Sequence, residues 1–242
     1  MENVWILLAI FVVLMMMHVA MGLSSLIGFM MIGYNLTTVG SLLYTAVAST
    51  SMITIPGYIF AGAIMAKGGI SRHLLNALNA WIGHVPGGVA IATVLACAMF
   101  AAITGSASAT IAAVGGLMIP AMIDSNYQKS FSMGLVASAG SLGILIPPSI
   151  PMILYTTIAG VSVSKLFAAG MLPGLIVVGV FSIYIVIFSI IHKQRGGETE
   201  HTDRWKKTLK ALPAILLPVA ILGSIYSGIM TATEASAFAC VY

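Results

Sequence analysis

Formal charges are so sparse along this chain that they divide it into long uncharged runs. Between Glu2 and Lys67 lie 64 consecutive residues without a formal charge, and between Arg72 and Asp124 lie 51. Three further runs follow: 35 residues between Lys129 and Lys165, 27 between Lys165 and Lys193, and 23 between Lys210 and Glu234. Apolar residues crowd these runs without the alternation of barrel strands. Backbone polar groups cannot face lipid unpaired, so the runs predict helices. A helix needs about 20 apolar residues to cross a hydrocarbon core about 30 Å thick. The first run therefore predicts about three spans over residues 1–66, breaking near Met21-Gly22 and near Tyr34-Asn35. The runs within 165–192 and 211–242 predict one span each.

Residues 67–85 behave differently. Leu74, Leu75, Leu78, Trp81 and Ile82 recur at helical spacing, with Arg72, Asn76 and Asn79 on other faces. This pattern predicts an amphipathic helix lying along the interface with Trp81 at headgroup level; an extramembrane connector is the alternative.

The 51-residue run holds two apolar limbs separated by small polar residues, Thr104-Gly105-Ser106-Ala107-Ser108-Ala109-Thr110. As one helix, residues 86–123 would extend about 57 Å, too long for a single crossing. Two limbs of about 17 residues each reach about 25 Å, slightly short of a span. A re-entrant hairpin over 86–123, with its tip at Gly105–Thr110, fits these lengths. Residues 124–164 follow with Pro147, Pro148 and Pro151, which remove backbone donors and push the preceding residues out of the α region. With Gly140 and Gly143 just upstream, this segment predicts a transmembrane helix broken in its middle. The fold class is thus an all-α integral membrane protein: a multi-helix bundle with a re-entrant hairpin and a proline-broken helix.

Composition agrees. Hydrophobic residues make up 60% of the 242 and charged ones only 7%, with a mean hydropathy of +1.08. Soluble domains run about 45–50% apolar and about 25% charged. A soluble enzyme, a nucleic-acid binder and a disordered protein are excluded. Cys97 and Cys240 lie far apart in apolar surroundings and read as packing residues. Nothing before the first apolar run reads as a cleavable signal peptide. The charges also bear on topology. If residues 86–123 return to their own side, nine of the ten Lys and Arg share one face, including the loop 193–210, and only Lys165 lies opposite. If they cross, the split is seven against three. The positive-inside rule favours the hairpin, with the N-terminus periplasmic and the basic loop cytoplasmic.

Two interruptions at membrane depth call for a use, since irregular backbone is tolerated there only when buried in protein or lining a wet cavity. Broken helices serve as binding sites: helix N-termini face an anionic group while loosened carbonyls and hydroxyls hold Na⁺. Ser106, Ser108, Thr110 and Ser149 offer hydroxyls, and Gly105, Gly140 and Gly143 can aim carbonyls. A close-packing seam at the tip, and a kink or a short loop between two spans at the prolines, are the structural alternatives. His18 and Asp124 fall near expected membrane edges, and Met15-Met16-Met17 reads as lipid-facing or packing filler. No metalloprotease, Walker A, GxSxG or Rossmann pattern occurs, so no enzyme is expected.

At these residues the sequence resembles the large membrane subunit of the tripartite ATP-independent periplasmic (TRAP) transporters. The resemblance rests on Ser51-Met52-Ile53-Thr54-Ile55-Pro56 with Ala61-Gly62, on Lys67-Gly68-Gly69-Ile70-Ser71-Arg72, and on Gly105-Ser106-Ala107-Ser108-Ala109-Thr110. It continues through Ile119-Pro120-Ala121-Met122, Ile146-Pro147-Pro148-Ser149-Ile150-Pro151-Met152 and Lys165-Leu166-Phe167-Ala168-Ala169-Gly170 with Pro173-Gly174. It implies a Na⁺-driven, elevator-type importer of small organic acids, such as dicarboxylates or sugar acids, in a bacterial inner membrane. A periplasmic substrate-binding protein and a small membrane subunit would be its partners, and no cofactor beyond the coupling ion is implied. By the same resemblance Gly105, Ser106, Ser108 and Thr110 form the hairpin tip, and Gly140, Gly143, Pro147, Pro148 and Ser149 the unwound stretch. Ser106, Ser108, Gly143 and Ser149 are the implied Na⁺ candidates, beside half of a substrate site. Family members carry two inverted repeats. This sequence resembles the first, and Thr231–Tyr242 looks like the opening of the second. A truncated, non-transporting fragment or scaffold that assembles with partner subunits is the alternative expectation.

Overall fold

The computed structural model describes residues 8–9, 12–13, 16, 21–31, 33, 35–192 and 204–242. Most of the first expected span, with Met15, Met17 and His18, and residues 193–203 of the basic loop lie outside the described residues. Every regular element among those described is a helix. The chain divides into two compact units, residues 1–49 and 50–242.

In the first unit, α1 (Met21–Met31) precedes α2 (Leu36–Val47). Asn35 starts α2 because its side-chain oxygen accepts the Thr38 N–H at 2.8 Å, satisfying one of the amides a helix start leaves unpaired. The stretch expected as the third span holds two helices, α2 ending at Val47 and α3 (Thr50–Lys67), which taken together are long and apolar enough for one broken span.

The second unit continues with α4 (Ile70–Ile82), α5 (Gly88–Thr104), α6 (Ala107–Asp124), α7 (Lys129–Gly140), the single turn α8 (Leu142–Leu145) and α9 (Ile150–Ala159). Then come α10 (Val163–Ile191), α11 (Arg204–Tyr226) and α12 (Ala232–Val241). At its centre is α5, which is apolar on every side: Ala90, Ala92, Val94, Cys97, Phe100 and Ile103 are wholly inaccessible. Such a helix is stable only when surrounded, and α3, α4, α6, α7, α8 and α10 pack around it. The amphipathic reading of α4 accounts for Leu74, Leu75, Ala77 and Ala80 turning inward while Arg72, His73 and Asn76 face out. Trp81 lies at the edge of the inward face. It is 43% exposed and donates its indole N–H to Thr208 Oγ1 on α11 at 2.9 Å.

Large apolar side chains also cover much of the exterior. On α10, Leu172, Leu175, Ile176, Val180, Ile183, Ile187 and Ile190 all point outward, which suits hydrocarbon as solvent and not water. Segments 107–124, 129–159, 163–191 and 204–226 are long and apolar enough to cross a membrane. At one end of the unit a cavity of about 540 Å³ is lined by hydroxyls of Thr50, Ser162, Ser164, Thr231 and Thr233. There Thr231 and Glu234 form a reciprocal cap on α12, and the Thr231 N–H holds the Glu234 carboxyl below its ordinary pKa. At the opposite end Trp81 meets Trp205 edge-on at 5.8 Å, and Phe131, Phe188 and His192 stack at 4.0 Å spacings. The 29 residues of α10 join the two ends over about 44 Å, close to a full bilayer with headgroups.

Candidate functional site

The limbs α5 and α6 are joined by two residues, each with one task. Gly105 ends α5 in a left-handed conformation, φ 61°, and donates its N–H to Ala101 O at 3.0 Å. That conformation suits glycine, because a Cβ there would crowd the backbone. Ser106 is extended and caps α6, its hydroxyl accepting the Ala109 N–H. Both limbs open toward the same end of the bundle. Gly87, just before α5, lies against Ser189 near the C-terminus of α10. Tyr127, just after α6, stacks on Phe131 and through it on Phe188.

The helical run from Lys129 breaks where the sequence expected it. Gly140 ends α7, the turn α8 stops at Leu145, and Ile146 and Ser149 are extended around a cis Pro147-Pro148 bond. The Ser149 hydroxyl donates to Ile144 O at 2.7 Å, serving a carbonyl that the prolines deprive of its helical donor.

Tip and break touch directly. The Gly105 carbonyl accepts the Ile150 N–H, the first amide of α9, at 3.0 Å. The negative end of one helix dipole thus meets the positive end of another. Gly143 makes the approach possible: a Cβ built on it would lie 2.7 Å from the Ser106 carbonyl and 2.8 Å from Ala107 N. Gly140 takes the Ile111 side chain where its own would be, and Gly105 lies so close to the Pro148 carbonyl that a Cβ would meet it at 2.5 Å. Outside the break, Gly174 of α10 leaves room for the Ile146 side chain.

All nine residues singled out from the sequence therefore lie at or beside one junction, although their hydroxyls are unequally placed. Ser106 and Ser108 Oγ atoms are 3.1 Å apart, with Ser106 half-buried and Ser108 exposed. Thr110 is fully buried and its hydroxyl lies 3.1 Å from Thr104 Oγ1. Thr104, absent from the sequence-derived set, ties the tip together: its hydroxyl donates to Phe100 O at 3.0 Å and lies 3.5 Å from the Ser106 N–H. Its signal was its place at the head of the small-residue patch. Ser149 is fully buried, engaged with its own break.

To a cation the junction offers oxygen ligands, hydroxyls and loosened carbonyls. No cluster of three or more His, Cys, Asp or Glu able to hold a metal occurs among the described residues. A hydroxyl that has donated its proton keeps lone pairs for a cation, and a hard monovalent ion fits such donors better than a soft one.

Residues 4–242 match the family model described as tripartite ATP-independent periplasmic transporter, DctM component. The C4-dicarboxylate TRAP transporter large permease protein DctM of Pseudomonas aeruginosa is 46% identical over 79% of this chain and 45% of its own length. The ectoine TRAP transporter large permease protein TeaC of Halomonas elongata is 39% identical over 93% of this chain and 53% of its own. The isethionate TRAP transporter permease protein DctMQ of Oleidesulfovibrio alaskensis is 44% identical over 84% of this chain and 32% of its own. The chain spans about half the length, or less, of these curated relatives. Each of them is a transporter permease protein.

Proposed function

The chain belongs to the DctM component family of tripartite ATP-independent periplasmic transporters, and from that premise we propose that it forms half of the translocation site of a Na⁺-coupled importer. The observation that carries the proposal is the hydrogen bond between the Gly105 carbonyl and the Ile150 amide, which makes hairpin tip and helix break one structural unit. Its oxygen donors suit Na⁺. Ser106 and Ser108 hydroxyls, the neighbouring carbonyls of Gly143 and the tip, and Ser149 are the groups that would hold the ion. The coupling ion would fix the tip against the break and complete the positive end that α6 and α9 offer to an anionic substrate group. In an elevator mechanism this unit moves across the membrane together with the helix behind it, and the fit of Ile146 against Gly174 supports α10 as that helix.

The substrate is a small organic solute carrying an anionic group. The relatives are named for a dicarboxylate, for ectoine and for isethionate, which share an acidic function and little else. A periplasmic binding protein would deliver it, and a small membrane subunit would accompany the chain. Hairpin limbs opening toward one end support a re-entrant loop and not a crossing. Among the described cations, Lys67, Arg72, Lys129, Arg204, Lys206, Lys207 and Lys210 belong to that same end and Lys165 to the other. That asymmetry supports a cytoplasmic basic end in a bacterial inner membrane.

The test is Ser106→Ala with Ser108→Ala in the complete permease reconstituted with its partners in proteoliposomes. Removing two oxygen donors should raise the Na⁺ concentration for half-maximal uptake at least tenfold, or about 1.4 kcal/mol of ion binding. Unchanged Na⁺ dependence in well-inserted protein would refute the site.

A further inference from the structure

We propose that Gly62 of α3 is a positioning residue for the ion site: it lets α3 bear on the Thr104 methyl and so holds the Thr104 hydroxyl where it braces the hairpin tip. The inference rests on the ion-site reading above and adds to it a residue from outside both tip and break.

The buried stripe of α3 is Thr54, Tyr58, Ala61, Gly62 and Met65, at helical spacing. The N-terminal half of this helix is fastened to α12. The Thr54 and Thr233 Oγ1 atoms are 2.9 Å apart, the Tyr58 hydroxyl donates to Ala232 O at 3.3 Å, and Cys240 Sγ donates to Gly57 O at 3.1 Å. Held in this way, α3 is a firm support for whatever packs further along it.

One turn beyond Tyr58 the stripe reaches the hairpin. A Cβ built on Gly62 would stand 2.8 Å from Thr104 Cγ2 and 3.2 Å from Thr104 Cα and Cβ. The α3 backbone therefore lies directly against the last residue of α5, at a position where only glycine fits without displacing it. Since α3 also packs on α9, it backs both sides of the junction between tip and break.

The methyl and hydroxyl of Thr104 leave the same carbon, so where the methyl is seated fixes the direction of the hydroxyl. Thr104 is buried. Its hydroxyl donates to Phe100 O at 3.0 Å, and lies 3.1 Å from Thr110 Oγ1, 3.4 Å from the Ser106 carbonyl oxygen and 3.5 Å from Ser106 N. Ser106 carries one of the oxygens assigned to the ion. Staggered rotamers about the Cα–Cβ bond differ by about 120°. A methyl group added at Gly62 thus leaves two ways out. Thr104 turns, and its hydroxyl swings away from Thr110 and Ser106; or the tip backs off from α3, and Ser106 moves with it. Both disturb the ion's ligands through Thr104, and neither touches them directly.

Na⁺-dependent uptake by the complete permease in proteoliposomes tests the proposal. Gly62→Ala should raise the half-saturating Na⁺ concentration about fivefold, the contribution of one neutral hydrogen bond, with the maximal rate recovered at saturating Na⁺. In a Thr104→Ser background the added methyl meets no Cγ2, and the same substitution should raise half-saturation about twofold or less. Thr104→Val keeps a methyl against Gly62 and loses the hydroxyl. It should raise half-saturation by about the same factor as Gly62→Ala, and the two together should give no further rise. Gly223→Ala on α11, with nothing within 4 Å of the added Cβ, is the control and should match wild type. An unshifted half-saturation in Gly62→Ala, a loss of maximal rate alone, a rise undiminished in Thr104→Ser, or shifts that add in Thr104→Val would overturn the proposal. If Gly62→Ala inserts poorly, Thr104→Val still decides, because unchanged Na⁺ dependence there would overturn it equally. Wild-type uptake indifferent to Na⁺ would instead refute the ion-site reading itself.

Discussion

Adding one methyl group at Gly143 tests whether tip and break are held together by close backbone approach. In Gly143→Ala the new Cβ would stand 2.7 Å from both the carbonyl carbon and oxygen of Ser106 and 2.8 Å from Ala107 N. These are main-chain atoms at a helix start, so no side-chain rotation relieves the overlap. Ordinary contact begins near 3.4 Å, so the tip must retreat by about 0.7 Å. It cannot do so freely, because Gly105 is bonded to Ile150 on the other side. Overpacking of this kind costs about 1–3 kcal/mol. Replacing glycine in a helical turn returns up to about 1 kcal/mol. The net expectation is a loss of about 1–2 kcal/mol, or about 2–8 °C in Tm at 2–4 °C per kcal/mol for a chain of this size. Gly134→Ala on α7 is the control, with nothing within 4 Å of its added Cβ; it should leave Tm unchanged or raise it. Thermal unfolding of both variants in the same detergent decides the matter. A Gly143→Ala protein as stable as the Gly134→Ala protein would mean that the tip does not lean on the break.

Two further outcomes are expected. Thr104→Val strands the buried Thr110 hydroxyl and should cost about 1–3 kcal/mol, whereas Thr104→Val with Thr110→Val should cost less than the sum of the two singles in a double-mutant cycle. A cysteine at the exposed Gln128, between α6 and α7, should react with impermeant maleimide only in inside-out vesicles. Labelling from the periplasm would show that residues 86–123 cross the membrane.

Hydrophobic patterning sufficed for the class of the protein, because lipid removes every alternative to a helix with internally paired backbone. Gly, Pro and Ser marked the interruptions for an equally local reason: Pro147 and Pro148 lack donors, Gly105 tolerates a left-handed turn, and Ser106 supplies a cap. These are properties of single residues and their neighbours, legible from the chain alone. What they were interrupted for was not. That the Gly105 carbonyl meets the Ile150 amide, 45 positions later in the chain, depends on α5 being enclosed and on α10 yielding room at Gly174. Thr104 was passed over because a threonine at a helix end has many uses, and only its burial against Thr110 selects one. The break between Val47 and Thr50 escaped notice because neither proline nor glycine marks it. Local chemistry writes the elements and their flaws; which flaws become neighbours is a property of packing, where each contact is chosen against all the others competing for the same space.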